Sequence, residues 1–284
     1  MRKRVNTSFE KHGVTVDFTK ETVIMGILNV TPDSFSDGGK YNDVEQAVKR
    51  TQEMVAEGAK IVDIGGESTR PGYTRISEEE EIGRVVPVIR AIREAGIPVL
   101  LSIDTYKSAV AEAALEAGVD ILNDIWGVRR DAEIATLAAR YGVPIILMHN
   151  RETADYTDFW LEAKADLEES IAIAKSHGVT DEQIWLDPGI GFGKNTTHNI
   201  WMMQHLPDLV AMGYPVLLAT SRKSLIGNVL KLPVEERIEG TGATVSFGID
   251  KGVHMIRVHD VKEMARTAKM MDVLVGKATY EEEK

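Results

Sequence analysis

IVDIGGESTRPG, residues 61–72, is an apolar run that stops at polar residues and a glycine-rich loop. Two further stretches follow the same pattern: VLLSIDTY at residues 99–106 and DILNDIWG at residues 120–127. The pattern places Asp63, Asp104 and Asn123 near the carboxyl ends of buried parallel strands. In a barrel of such strands, side chains at this end converge on a ligand. We therefore expect the functional site at the strand ends.

The whole chain repeats this rhythm. Apolar runs begin near Val23, Lys60, Pro98, Asp120, Val143, Gln183, Pro215 and Val253, and most of the intervals between them show helical periodicity. Eight strands alternating with helices predict an α/β protein with a single-domain (β/α)8 TIM barrel. An open doubly wound sheet is the competing architecture, but no GxGxxG follows the first strand, and GIGFGK at residues 189–194 is not followed by Ser or Thr.

Local signals mark the ends of several elements. Asn42, Ser77 and Asp260 are each followed three residues later by Glu, which predicts capping boxes at three helix starts, and the first helix is expected to stop at Gly58. VTVDF at residues 14–18 alternates and predicts part of a hairpin across the bottom of the barrel. We expect a hairpin region at 1–20 and the barrel at 21–280.

Composition excludes several classes of function. The 44 acidic and 33 basic residues give a net charge of −11, which opposes binding to nucleic acid. The chain has no cysteine, so disulfides, thiolate metal sites and cysteine nucleophiles are excluded. No twenty-residue apolar span or export signal is evident, which predicts a cytoplasmic protein without a membrane segment.

Two carboxylates and an amide end three of the predicted strands. Asp104, Asn123 and Asp187 together offer acceptors and a donor to a flat heterocycle with an amino-pyrimidinone edge. The alternative is that one or more of them caps the next helix or pairs with a neighbouring cation of the barrel. Capping competes most strongly for Asp104, which precedes Thr105.

The complementary cations come from the last two strands. Strands seven and eight of a barrel usually form a phosphate site, and SRKS at 221–224 and RVHD at 257–260 place Lys223, Arg257 and His259 there. A lone histidine is more often a structural residue than a ligand. Here, however, His259 lies two residues from an arginine on the same strand-end face.

Two early loops are rich in glycine, proline and small polar residues. NVTPDSFSDGG at 29–39 and GGESTRPG at 65–72 follow the first two strands, and they predict a mobile lid rather than simple turns. A tight structural metal is not predicted, because no HExxH, cysteine cluster or EF-hand spacing is present. Mg²⁺ brought in by a diphosphate needs only one or two protein oxygens, which Asn29 and Asp33 offer.

Taken together, the motifs resemble those of the dihydropteroate synthase family. In order from about Met25 to Lys277 they are MGILNVTPDSFSDGG, GGESTRPG, LSIDTYK, ILNDIWG, DPGIGFGK, SRKS and RVHD. The resemblance implies a (β/α)8 barrel, commonly a homodimer, that uses Mg²⁺. The resemblance further implies that this enzyme joins a 7,8-dihydropterin methyl diphosphate to 4-aminobenzoate and releases diphosphate and 7,8-dihydropteroate for folate synthesis.

The resemblance also implies roles for individual residues. The pterin is assigned to Asp104, Asn123, Asp187 and Lys223 with Arg257 stacked on its face, the diphosphate to Asn29 with Mg²⁺ and to Arg257 and His259, and the aminobenzoate to Thr69, Arg70, Pro71, Phe192 and Ser224. The residues expected to act in catalysis are Asp33, Arg70, Lys223, Arg257 and His259. Diphosphate departure followed by arylamine attack requires no side-chain nucleophile.

Two other functions compete with this one. A pterin-dependent methyltransferase shares the barrel and the pterin-recognising acids, but it is expected to lack the NVTPDSF and STRPG loops that this chain carries. A silent relative that only binds a pterin or a phosphate would not need to retain Asn29, Arg70, Lys223 and His259 together.

Overall fold

The barrel strands are mostly apolar and are buried on both faces. The computed structural model describes residues 8–31, 39–67 and 75–280, and for residues 39–42 it describes only the backbone. Within it, every residue of LLSID at 100–104 is buried. Such two-sided burial is typical of a parallel sheet covered by helices. The eight strands are β3 (Val23–Asn29), β4 (Ile61–Gly65), β5 (Leu100–Asp104), β6 (Ile121–Asp124), β7 (Ile145–Met148), β8 (Ile184–Asp187), β9 (Leu217–Leu218) and β10 (Met255–Val258).

These strands form one parallel sheet in the order β8-β7-β6-β5-β4-β3-β10-β9. A single parallel bridge between Leu186 and Val216 brings β8 beside β9, so the sheet curls into a nearly closed barrel. The predicted TIM barrel is confirmed. Because all eight strands run the same way, their carboxyl ends share one rim.

Ten helices cover the described part of the barrel. They are α1 (Gly39–Glu57), α2 (Glu78–Glu94), α3 (Ser108–Ala117), α4 (Glu133–Tyr141), α5 (Phe159–Ser176), α6 (Thr196–Gln204), α7 (Leu206–Val210), α8 (Ser224–Leu230), α9 (Ile238–Asp250) and α10 (Val261–Leu274). None of these helices is both long and apolar enough to cross a membrane.

The predicted hairpin is confirmed and closes the amino-terminal end of the barrel. It consists of β1 (Ser8–Lys11) and β2 (Val14–Asp17), paired antiparallel. Val16 and Phe18 belong to one apolar cluster with Trp185 of β8, and the Phe18 and Trp185 rings meet edge to face with centroids 5.4 Å apart. This packing fills the lower barrel and leaves the opposite rim for polar groups.

Of the three predicted helix caps, the structure shows one. Ser77 caps α2, since its hydroxyl accepts a hydrogen bond from the amide of Glu80 at 3.2 Å. Asn42 is not the cap of α1, because that helix is already formed at Gly39, although it ends before Gly58 as predicted. Asp260 precedes α10 but caps no amide of the described residues, because its carboxylate pairs with Arg222 instead.

Candidate functional site

Arg257 joins the acids of two other strands. It lies on β10, and its Nε is 2.6 Å from Oδ2 of Asp63 on β4, while its Nη2 is 2.8 Å from Oδ2 of Asp104 at the end of β5. Because β3 separates β10 from β4, the guanidinium reaches across one strand to make these contacts. Asn123 on β6 donates from Nδ2 to the same oxygen of Asp63 at 3.0 Å. Four strands therefore contribute to one polar cluster.

The two acids of this cluster keep unused acceptors. Asp63 is fully buried and Asp104 is 8% exposed, yet Oδ1 of each has no hydrogen-bond partner among the described residues. Burial raises the pKa of Asp104 to about 7, with the charge of Asp63 adding to this effect and Arg257 opposing it. A buried acceptor without a donor is costly, so this arrangement favours a ligand that brings N–H groups.

Asp187 and Lys223 form the opposite wall of the site. Asp187 ends β8, and its Oδ1 accepts a hydrogen bond from the amide of Gly189 at 2.6 Å. Lys223 precedes α8; its Nζ donates to the carbonyl of Ile190 at 2.5 Å and lies 4.9 Å from the ring centroid of Phe192. Burial raises the pKa of Asp187 against the pull of Lys223, and burial lowers the pKa of Lys223 to about 8. Each charge thus helps to keep the other ionised.

His259 and Ser224 lie at the same end of the barrel. The backbone amide of His259 donates to Oγ of Ser221 at 3.2 Å, and its Nδ1 is 2.9 Å from the same hydroxyl. Ser224 is the exposed first residue of α8, directly after Lys223. Arg222 does not join the cluster of Asp63 and Asp104, because it forms a bidentate ion pair with Asp260. SRKS therefore contributes Lys223 to the site and uses Arg222 as a structural brace.

Asn29 begins the first of the two predicted lid loops. It is the exposed last residue of β3 and lies beside Gly65 of β4, in register with it. Gly65 in turn pairs with Asp104, so Asn29 stands on the same rim as the acid cluster. The other predicted loop residues, Asp33, Thr69, Arg70 and Pro71, lie outside the described residues.

The structure brings most of the predicted residues together. Asp104, Asn123, Asp187, Lys223 and Arg257 meet at one rim, as the strand-end argument predicts, and Asp104 is not a helix cap. Pairing of Asp104 with a barrel cation, which the sequence left open, does occur through Arg257. The sequence placed Asp63 near a strand end but gave it no role. An aspartate inside the buried run IVDIG was the signal that could have identified it.

Comparison with known proteins agrees with this geometry. The family model described as pterin binding enzyme matches residues 25–259. A dihydropteroate synthase of Clostridium beijerinckii is 58% identical over 258 residues, which cover 90% of this chain and 95% of that protein.

Two solved structures share the fold. A Clostridium difficile dihydropteroate synthase in the presence of pteroic acid has a TM-score of 0.88 at 47% identity, covering 91% of this chain and 98% of its own. A Xanthomonas albilineans dihydropteroate synthase with 4-aminobenzoic acid has a TM-score of 0.88 at 38% identity, covering 94% and 98%. This chain therefore belongs to the family of pterin-binding enzymes, among the dihydropteroate synthases.

Proposed function

We propose that the cluster of Asp63, Asp104, Asn123, Asp187, Lys223 and Arg257 holds the pterin of the dihydropteroate synthase reaction. The observation that carries this assignment is the pair of buried acceptors, Oδ1 of Asp63 and Oδ1 of Asp104, for which the described residues provide no donor. The amino-pyrimidinone edge of a pterin has adjacent N–H groups that would occupy them. Lys223 supplies a donor for the ring carbonyl.

The chemistry follows from the charges of the site. The bond between the pterin methylene carbon and the diphosphate oxygen breaks, and the bonding electrons leave with diphosphate. The methylene becomes cationic and conjugated with the ring, which the carboxylates of Asp104 and Asp187 stabilise. Arg257 and His259 donate to the leaving group. The amine of 4-aminobenzoate then forms the new C–N bond and loses a proton, so no side-chain nucleophile is needed.

We propose that Mg²⁺ binds together with the diphosphate, whose oxygens are ligands of the ion. The described residues contain no group of three His, Asp or Glu side chains that could enclose a metal. A site with one protein oxygen does fit, since the exposed amide of Asn29 offers a hard oxygen ligand at the rim. Bound there, the ion would add positive charge to the departing diphosphate.

The aminobenzoate is assigned to the side of the site formed by Phe192 and Ser224. Phe192 is half-buried beside Lys223, which places an aromatic face next to the predicted pterin site. Thr69, Arg70 and Pro71 complete the assignment by family resemblance. The Xanthomonas albilineans structure with 4-aminobenzoic acid supports the choice of this substrate.

A homodimer through the last helices completes the proposal. In that region α8 packs beside α9, and α9 packs beside α10. All three carry exposed apolar side chains: Val229 and Leu230, Phe247, and Met270 and Leu274. Exposed apolar side chains on neighbouring helices favour a partner, and a second copy fits the family. We expect Phe247→Asp to convert a dimer to a monomer in analytical ultracentrifugation, and an unchanged mass would contradict this interface.

We place the enzyme in the cytoplasm.

The decisive experiment is a coupled assay. The protein is incubated with Mg²⁺, the dihydropterin diphosphate and 4-aminobenzoate, while diphosphate release and dihydropteroate formation are followed together. We expect both at equal rates, and we expect Asp187→Asn to weaken pterin binding strongly in calorimetry. Asp250→Asn is the matched control, because Asp250 is an exposed residue paired only with Lys251 among the described side chains.

Two results would contradict the proposal. Tight pterin binding without product would favour the methyltransferase or the silent relative, and unchanged pterin affinity in Asp187→Asn would contradict the residue assignment. The 58% identity to a dihydropteroate synthase supports the synthase over both alternatives.

A further inference from the structure

The lysine of GIGFGK lies under the loop that precedes α6. Its Nζ is 2.9 Å from the carbonyl oxygen of Gly189, 2.9 Å from that of Phe192 and 2.6 Å from Nδ1 of His149. A longer contact of 3.4 Å joins it to the carbonyl oxygen of His149, and burial lowers the pKa of Lys194 well below its ordinary value while Asp187 opposes the shift. Lys194 therefore closes the loop on itself and ties it to the residue that follows β7.

His149 connects this lysine to a helix. Its side chain is fully buried, and its Nε2 is 3.0 Å from Oδ2 of Asp166 on α5. The pKa of His149 is lowered to about 4, chiefly by burial, with Lys194 adding to the decrease and the hydrogen bond to Asp166 opposing it. Because an ionised carboxylate only accepts, the neutral imidazole carries its proton on Nε2 and accepts from Lys194 at Nδ1. The chain of contacts runs from Asp166 through His149 to Lys194.

The loop is shaped to lie against the residues after β7. Gly189 has φ +66°, and a Cβ there would stand 1.9 Å from the carbonyl oxygen of His149. Gly193 has φ +55°, and a Cβ there would stand 2.5 Å from the carbonyl oxygen of Arg151. Only glycine permits both the left-handed backbone and these close approaches. The glycines thus allow the contact that Lys194 secures.

The same loop builds one wall of the predicted pterin site. Between the two carbonyls held by Lys194 lies Ile190, whose own carbonyl accepts the hydrogen bond from Lys223. The ring of Phe192 lies 4.9 Å from Nζ of Lys223, and the amide of Gly189 donates to Asp187. A shift of the loop would therefore move the partners of both Lys223 and Asp187.

We propose that Lys194 and His149 are positioning residues of the pterin site. They hold the loop at residues 188–193 so that Lys223 and Asp187 face the pterin, and they do not contact the substrate themselves. This inference rests on the proposed function. It extends it by giving a role to the last residue of DPGIGFGK and to the histidine that follows β7.

The test compares Lys194→Met with Lys175→Met. Lys175 is an exposed lysine that pairs with Asp181, so its loss controls for removal of a lysine charge. We expect Lys194→Met to bind the dihydropterin diphosphate at least tenfold more weakly in calorimetry without aminobenzoate. We also expect the KM for the pterin to rise at least tenfold, with a smaller change in kcat. Lys194→Gln keeps two N–H donors and should recover part of the affinity.

Two readouts do not depend on turnover. Amide hydrogen exchange of residues 187–194 should be faster in Lys194→Met and Lys194→Gln than in the parent protein. The ¹⁵N resonances of His149 should show a neutral ring protonated at Nε2, and the Nδ1 resonance should move in Lys194→Met because that nitrogen loses its hydrogen-bond donor.

The inference is overturned if the folded variants bind the pterin within twofold of the parent and their loop exchange is unchanged. It is also overturned if only the unfolding temperature falls, since that would show a purely structural role. If the Met variant fails to fold, the Gln variant decides by the same criteria. A parent protein that makes no dihydropteroate would instead refute the proposed function, while loop exchange and the His149 resonances would still test the network.

Discussion

The substitution Asp104→Asn should stabilise the protein at alkaline pH and impair pterin binding. Asp104 is 8% exposed, and its Oδ2 accepts from Arg257 at 2.8 Å while its Oδ1 has no partner in the described part of the chain. Its pKa is raised from the ordinary value of 3.8 to about 7, chiefly by burial. Asparagine has nearly the same shape but no charge to bury.

The sign and size of the stability effect follow from linkage. Between pH 3.8 and 7 the folded protein retains the proton of Asp104, whereas the unfolded chain loses it. Folded-state stability therefore falls as pH rises through this window and levels off above 7. At about 1.4 kcal/mol per pH unit, the interval from pH 5 to 7 corresponds to a loss of about 3 kcal/mol. The variant lacks this loss.

Urea unfolding of both proteins at pH 5 and pH 8 measures the effect. We expect the free energy of unfolding of Asp104→Asn to gain about 3 kcal/mol on the parent between the two pH values. Titrating groups that do not interact with Asp104 cancel in this difference. Asp250→Asn, at an exposed site, should show no such gain. Pterin affinity at pH 8 should fall on the order of 10- to 100-fold, because a hydrogen bond to a charged acceptor is lost.

The reasoning is refuted if the difference between the two proteins is the same at pH 5 and pH 8. It is also refuted if Asp104→Asn is the less stable protein only at pH 8. Either result would mean that Arg257 compensates the buried charge fully.

Three further outcomes can be measured. Pterin affinity should be greatest between pH 7 and 8, because binding needs ionised Asp104, whose pKa burial raises to about 7, and protonated Lys223, whose pKa burial lowers to about 8. Calorimetry across pH 6–9 checks this, and a flat profile would contradict it. Gly189→Ala should abolish pterin binding, because its methyl would meet a backbone carbonyl at 1.9 Å, whereas Gly83→Ala in open space should be neutral in the same titration. Removing Mg²⁺ with a chelator should suppress diphosphate release, and Asn29→Ala should raise the Mg²⁺ concentration that restores half of it; equal requirements in both proteins would exclude Asn29 as a ligand.

The barrel could be predicted because each strand carries its own signal. The run LLSID of β5 is buried on both faces and ends at a loop, and a parallel sheet covered on both sides accommodates several such strands. Helix starts were less predictable. Ser77 caps α2 as expected, but the same pattern at Asp260 gave no cap, because Arg222 takes its carboxylate. A capping pattern does not show which partner will compete for the side chain.

The site could be predicted in outline for the same geometric reason. Strand ends gather at one rim, so Asp104, Asn123 and Asp187 could be grouped from their positions alone. Asp63 could not be given a role, because its partner Arg257 lies 194 residues away in the chain. Lys194 was missed for a similar reason, since its contact with His149 spans 45 residues and depends on the path of a glycine-rich loop.

The cluster of charges explains why the site is both costly and specific. Three acids, Asp63, Asp104 and Asp187, face two cations, Lys223 and Arg257, so full ionisation leaves one buried negative charge in excess. Without ligand, proton uptake by Asp104 relieves that excess, as its pKa of about 7 indicates. A pterin that donates N–H groups to the unused acceptors would relieve it instead and would favour ionised Asp104. Binding energy thus comes partly from removing strain that the folded protein already carries. For that reason Asp104→Asn, which removes the excess buried charge of the empty site, should also greatly weaken binding of the pterin.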